Sequence, residues 1–207
     1  MIVIPLDNRR VALRWATPRD GDLLAAGFQR LSAESRRMRF FSAMPRMPDS
    51  VKRSLLSIEP PRHFAVVAFD MDTLDDTSHS PFEAAIGVAR LIAIPQRAGT
   101  SEFAMTVVDE FQHHGLGHLL FELLLVAADH VGIHTIEADV LTENGAMSAL
   151  LHHYGSLSSH PTHDYSTTHM SVAVAPNLSA ISAERRAAFD ELIQLERRLT
   201  RVAPSDC

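Results

Sequence analysis

The stretch from Val107 to Leu120, Val-Val-Asp-Glu-Phe-Gln-His-His-Gly-Leu-Gly-His-Leu-Leu, constrains this chain more than any other. A β-rich run, Glu102 to Val108, leads into Gln112-x-x-Gly115-x-Gly117. An apolar helical run, Leu119 to Ala128, follows at once. A glycine loop between a strand and a helix N-terminus exposes backbone N–H groups, which bind phosphate oxygens with the help of the helix dipole. Gly115 and Gly117 let the backbone approach an anion without interference from a Cβ. No Gly-Lys-Ser/Thr ending is present, so this is no P-loop. No Gly-x-Gly-x-x-Gly with an acidic residue about 20 positions on is present either, so it is no Rossmann fingerprint.

Three further segments flank this loop. Downstream of a strand-like run, Ile133 to Val140, stands Asn144-Gly-Ala-Met147-Ser-Ala-Leu-Leu-His-His-Tyr154-Gly155. Upstream stands Leu31-Ser-Ala-Glu-Ser-Arg-Arg-Met-Arg-Phe-Phe-Ser42. Ser101-Glu-Phe-Ala104 opens the strand before the loop. Together with the glycine loop these resemble the GNAT acetyltransferases, and among them the bacterial protein lysine acetyltransferases, whose domain is often fused to regulatory modules. The resemblance runs from about Val11 to Val174. It implies a mixed α/β fold: a twisted, largely antiparallel sheet with helices on both faces.

The resemblance also implies site residues. Val107, Val108, Gln112, His113, His114, Gly115, Leu116, Gly117 and His118 are expected to hold acetyl-CoA, the loop taking its diphosphate. Backbone N–H groups near Val108 are expected at the thioester carbonyl. Asn144 and Met147 fall in the element beside the pantetheine arm. Glu102 matches the general base that takes a proton from the acceptor amine. A carboxylate with an ordinary pKa of about 4.3 matches an ammonium near 10.4 poorly, so burial is expected to raise it. Without the resemblance, Glu102 reads as an exposed strand-start carboxylate.

The loop departs from its pattern at His113 and His114, where that branch has Gly-Arg. A histidine is mostly neutral above about pH 6.5, which leaves the backbone amides as the anion-binding groups. Many GNAT enzymes place an acidic tyrosine four residues before the terminal glycine; here that position is Leu151. Tyr154, next to Gly155, reads as a packed aromatic at a helix end. Three functions follow from the resemblance. The first is acetylation of protein lysine by direct attack in a ternary complex. The second is acetylation of a small amine, and the third is a non-catalytic acyl-CoA-binding regulatory module.

Composition fits a globular protein: 207 residues, 46% hydrophobic and 21% charged. The formal net charge of −6 argues against general nucleic-acid binding. The single cysteine, Cys207, has no internal partner, which points to a reducing, cytoplasmic setting and against an acyl-enzyme. Met1 to Leu6 is too short for a secretory signal, and Leu119 to Val131 is too short and carries two acids. No membrane partner is therefore expected. Lys52 is the only lysine, a bias that GC-rich coding explains better than protection from self-acylation. The 12 histidines include His113/His114/His118 and His152/His153/His160/His163, but none has a recognised zinc spacing, so no metal is expected. Arg36, Arg37 and Arg39 read as a solvated helix face, with contact to substrate as the second reading.

Along the chain, Val11 to Trp15 reads as the first strand. Thr17 and Pro18 read as the N-cap and first residue of a helix. Helical stretches are expected from Ser32 and over 50–57, and strands over 64–69, 84–94, 102–108, 133–140 and 169–174, the last closing the sheet. The segment 70–81 reads as an acidic hairpin loop. Pro176 marks the end of a domain spanning 1–176. Residues 177–207 read as an amphipathic helix and tail, with Phe189, Leu192, Ile193, Leu195 and Leu199 apolar and available as a homodimer seam.

Overall fold

The computed structural model describes residues 1–156, 158–161 and 166–202. His163 and Cys207, and the side chains of His160 and Leu199, lie outside that description. One sheet runs through the described residues: β1 (Ile2–Leu6), β2 (Arg9–Trp15), β3 (His63–Asp70), β4 (Ala85–Ala93), β5 (Thr100–Val107), β6 (Thr135–Leu141), β7 (Ser158–Pro161) and β8 (Thr167–Ala173). Its spatial order is β1-β2-β3-β4-β5-β6-β8-β7. Every pair is antiparallel except β5–β6.

β1 is a strand the sequence reading did not assign. Its alternation buries Ile2, Ile4 and Leu6, and Asp7, at φ 51, turns the chain back into β2. β3 is buried along its whole length, as its lack of alternation implied. β8 does not close the sheet, because β7 pairs outside it.

Helix α5 (Leu116–His130) fills one face of the sheet, with ten of its residues buried. On the other face lie α1 (Gly21–Gln29), α2 (Ala33–Phe40) and α3 (Asp49–Leu56). Thr17 does not cap α1. Its N–H donates to Asp20 Oδ2 at 2.6 Å, and Arg14 donates twice to the same carboxylate, so 17–20 closes as a turn before the helix starts. Ser32 caps α2 as expected, accepting from Ser35 N. The acidic segment after β3 is not all loop: Asp70 accepts from Thr73 N and caps the short α4 (Met71–Asp75).

Two more helices lie on the α5 side: α6 (Gly145–His153), which contacts β8 and whose C-cap Tyr154 packs on Phe121, and α7 (Val174–Leu178), directly after β8 and packed on α5. Pro176 sits in the first turn of α7, where its missing N–H forfeits no helical bond. Helix α8 (Ala183–Val202) packs against α5 and β1. Phe189, Leu192 and Ile193 are buried in the same core as β1–β6, and Trp15 Nε1 donates to Leu192 O at 3.2 Å. Three of the five apolar residues that suggested a dimer seam are therefore used within the chain.

Candidate active site

The parallel pair β5–β6 holds for only three positions, Thr100↔Thr135, Ser101↔Ile136 and Glu102↔Glu137. Beyond Glu102 the strands diverge. On its other edge β5 is paired with β4 up to Val107, and Val108 N donates to Ile86 O at 3.0 Å. Antiparallel ladders alternate. Even-numbered residues of β5 therefore point their N–H and C=O at β4, and Phe103, Met105 and Val107 point theirs into the opening. Of the N–H groups expected near Val108, that of Val108 itself is thus spent on the sheet, while those of Val107 and Met105 face the gap. Between the two arms lies a cleft of about 770 Å³.

The glycine loop closes one end of this cleft. After a single 3-10 turn, Asp109–Phe111, His113 takes φ 62 and Gly115 φ 77, and α5 begins. Positive φ at both positions turns successive N–H groups the same way, a shape that suits an anion. No side chain caps α5, and its first helical bond runs from Leu119 N to Gly115 O. The N–H groups of Leu116, Gly117 and His118 are left for an outside acceptor. A Cβ on Gly117 would stand 3.2 Å from Met105 Cε, on the cleft side; one on Gly115 would face Leu6 instead.

The expected coenzyme residues divide into two groups. Val107, Gln112, His113, Gly115, Gly117, His118, Asn144 and Met147 line the cleft. Val108 and Leu116 are buried in the core, and the His114 side chain is exposed outside the cleft lining. For Leu116 only the backbone N–H is offered. Gln112 turns its side chain inward, donating to Ser35 Oγ and Val107 O, both at 3.1 Å. Asn144 caps α6, accepting from Met147 N at 3.1 Å. Both side chains brace the walls through bonds within the chain.

A second brace joins the loop to α2. Asp109 accepts from Ser32 N (3.0 Å), Ser32 Oγ (2.6 Å) and Ser35 Oγ (3.0 Å). Desolvation pushes the Asp109 carboxyl up, but the hydrogen bonds from Ser32 and Ser35 together hold it below the usual carboxylate range. The serines of the 31–42 motif therefore fix α2 to the glycine loop.

Glu102 lies on the far side of the cleft, at the point where β5 and β6 part. It is exposed, so the burial expected to tune it is not supplied by this chain alone. Around it stand groups that sequence reasoning left aside or missed. Arg39 of α2 lines the same side, and desolvation pushes its guanidinium down to about 10, opposed by the charge of Glu102. On the β6 arm Asp139 lines the cleft and faces His169 Nδ1 at 2.9 Å, while His169 Nε2 is 3.4 Å from Glu137 Oε2. The buried Glu137 is held by both Nη atoms of Arg97. Glu137 and Asp139, two residues apart in a mostly apolar strand, were the signal for a polar face on β6. Nor is Arg36 solvated: it donates to the carbonyls of Phe28, Gln29 and Pro45. Arg37 pairs with Glu143.

Tyr154 is turned away from the cleft. Its hydroxyl lies 3.2 Å from His118 Nδ1 and donates to Glu122 Oε1 at 3.5 Å, and Arg185 pairs with the same carboxylate at 2.7 Å. Burial first, and then Glu122, push the hydroxyl well above its ordinary value. Its place is the junction of α5, α6 and α8.

Residues 10–156 match the model of the acetyltransferase (GNAT) domain. The chain belongs to the GNAT acetyltransferase family. It is 29% identical over 154 residues to acetyltransferase Pat of Mycolicibacterium smegmatis, a match over 65% of this chain and 46% of that protein. The matched part is thus about half the length of that curated relative. The GNAT domain of S. lividans PAT has the same fold, with a TM-score of 0.69 at 19% identity over 84% of this chain and 94% of that one. So does a cAMP-binding acyltransferase from Mycobacterium smegmatis, with a TM-score of 0.59 at 22% identity over 93% of this chain and 54% of that one. A spermidine N-acetyltransferase from Vibrio cholerae, solved with CoA and spermine, superposes with a TM-score of 0.58 at 18% identity over 80% of this chain and 96% of that one. The fold expected from the glycine loop and its flanking segments is the one found. Among the described residues no helix is long and apolar enough to cross a membrane.

Proposed function

We propose that this GNAT chain transfers an acetyl group from acetyl-CoA to the side-chain amine of a protein lysine, by direct attack in a ternary complex. One observation carries the reading: a single strand, β5, joins a carboxylate, two N–H groups facing the opening and the glycine loop. Glu102 stands where β6 departs, the N–H groups of Met105 and Val107 face the opening, and the strand ends at the glycine loop. The loop and the start of α5 supply N–H donors for the diphosphate. Met105 is three residues from Glu102, roughly 10 Å along the strand. That spacing leaves room for an amine between the carboxylate and a thioester carbonyl bound at the Met105 N–H.

In the step itself Glu102, directly or through water, takes a proton from the acceptor ammonium, and the freed amine nitrogen bonds to the thioester carbon. The carbon–sulfur bond then breaks, and the second proton leaves nitrogen for the departing thiolate or for water. The N–H of Met105 stabilises the negative charge that grows on the carbonyl oxygen. The leaving thiolate departs without a protein acid, in keeping with the position of Tyr154.

The resemblance of segments 31–42 and 101–104 to the bacterial protein lysine acetyltransferases supports lysine as the acceptor over a free small amine. The test is incubation of the protein with labelled acetyl-CoA and a cell lysate. Hydroxylamine-stable label in protein is the expected result. Label confined to small molecules would move the acceptor to a free amine. Tight binding of acetyl-CoA with no transfer to any acceptor would make the chain a binding module.

A further inference from the structure

The acceptor side of the cleft contains a guanidinium with no counter-charge bound to it. Among the described residues Arg39 makes no hydrogen bond and no ion pair; its Cζ lies over the ring of its neighbour Phe40, 4.9 Å from the centroid. The other arginines nearby are committed. Arg36 holds three backbone carbonyls, Arg37 holds Glu143 and Arg97 holds Glu137. Close to Arg39 stands a second guanidinium, Arg90, with 2% of its surface exposed. Its partners are neutral: Leu55 O at 2.9 Å and His63 Nε2 at 3.4 Å. Desolvation lowers both His63 and Arg90, and Arg39 lowers Arg90 further, so His63 stays neutral and the two arginines repel. One carboxylate, Glu102, faces this pair of positive groups.

Across the cleft the charge is reversed. Asp139 lines the β6 arm, with His169 against it, and Glu137 is taken up by Arg97. An acceptor ammonium entering between Glu102 and Asp139 meets two carboxylates. Any group beside it that reaches α2 meets Arg39. A guanidinium that has already lost much of its water binds a carboxylate well, through paired N–H donors.

We infer that Arg39 is a carboxylate subsite, and that the preferred acceptor is a lysine with an Asp or Glu next to it in the chain. The inference rests on the lysine reading above and adds the charge of the neighbouring residue.

Two peptides test it, each with one lysine, identical except for Glu or Gln beside that lysine. Wild-type protein should favour the Glu peptide by about tenfold in kcat/KM. In Arg39→Gln the ratio should fall to about one, and Arg39→Lys, which keeps the charge but not the fork, should lie between. Equal rates on the two peptides with wild type would overturn the subsite and leave lysine acetylation standing. A ratio that survives Arg39→Gln would overturn the assignment to Arg39. A preference for Nα-acetyl-lysine over its amide, with none between the peptides, would overturn a flanking side chain as the source of the carboxylate. If neither peptide is turned over, the lysine reading fails. Calorimetry in the presence of CoA then decides the subsite: a Glu peptide binding no tighter than the Gln peptide overturns it.

Discussion

Gly115 and Gly132 have the same positive φ, 77, at opposite ends of α5. Replacing each by alanine separates strain from function. A left-handed conformation costs an L-residue about 1–2 kcal/mol. The smaller freedom of alanine in the unfolded chain offsets roughly 0.5–1 kcal/mol of that. Neither new methyl group clashes. At Gly132 nothing lies within 4 Å, and at Gly115 the nearest atom is Leu6 Cδ1 at 3.4 Å, an ordinary contact. Gly132→Ala should therefore lose about 1 kcal/mol, a fall of about 2–4 °C in Tm for a chain of this size, with acetyl-CoA affinity unchanged. Gly115→Ala has two outcomes open to it. If the loop keeps its shape, the strain appears as the same loss of Tm. If the loop relaxes, stability recovers and binding must restore the strained form, weakening acetyl-CoA about fivefold to thirtyfold. Thermal unfolding of both variants, with calorimetry of acetyl-CoA binding, gives the two quantities. Should Gly115→Ala match wild type in both, the left-handed residue is not what shapes the anion loop.

Other perturbations follow from particular contacts. Asp109→Asn should lower stability at pH 7 by about 1 kcal/mol, a screened value for an exposed carboxylate with three donors. Because Asp109 lies below its unfolded value when folded, its contribution is complete above about pH 5 and is lost as pH falls through the lower, folded value; denaturation of wild type and variant should converge there. Phe189→Ala, at a site with no exposed surface, should cost about 3–5 kcal/mol, and a small change would show that α8 is appended to the core and not part of it. His114→Arg should change acetyl-CoA affinity less than about twofold at pH 8, since its side chain lies outside the cleft; a large gain would mean that residue 114 faces the phosphates when the coenzyme binds.

What could be read from the sequence was whatever depends on local order. The strand–glycine loop–helix run, the Ser32 cap and the unalternating β3 are each set by a few neighbouring residues, and the structure shows each as expected. The misses depend on which side chains claim a turn or a core, near in the chain for Thr17 and far away for β1. Thr17 fails as a cap because Arg14 and Asp20 claim the turn, and β1 exists because Ile2, Ile4 and Leu6 find a core built from later segments. At the site, the types of residue were legible but not their directions. Periodicity did not say that Val108 N would be spent on Ile86, or that Gln112 would turn to Ser35. Arg36, Arg37 and Arg39 looked alike as a basic run, and only packing gives each a different neighbour.

The central claim is that one strand carries both the base and the thioester-binding N–H groups. Single-turnover acetylation of a lysine acceptor by Glu102→Gln tests it most directly. Glutamine is nearly isosteric, so acetyl-CoA affinity should stay within about twofold. Its amide accepts no proton from an ammonium, so the rate should fall by roughly 10² to 10⁴, the usual contribution of a positioned base. The rise of rate with pH expected of wild type should disappear with it. A variant that binds acetyl-CoA normally and acetylates at the wild-type rate would contradict the account, and Glu102 would then be no more than an exposed residue at the start of β5.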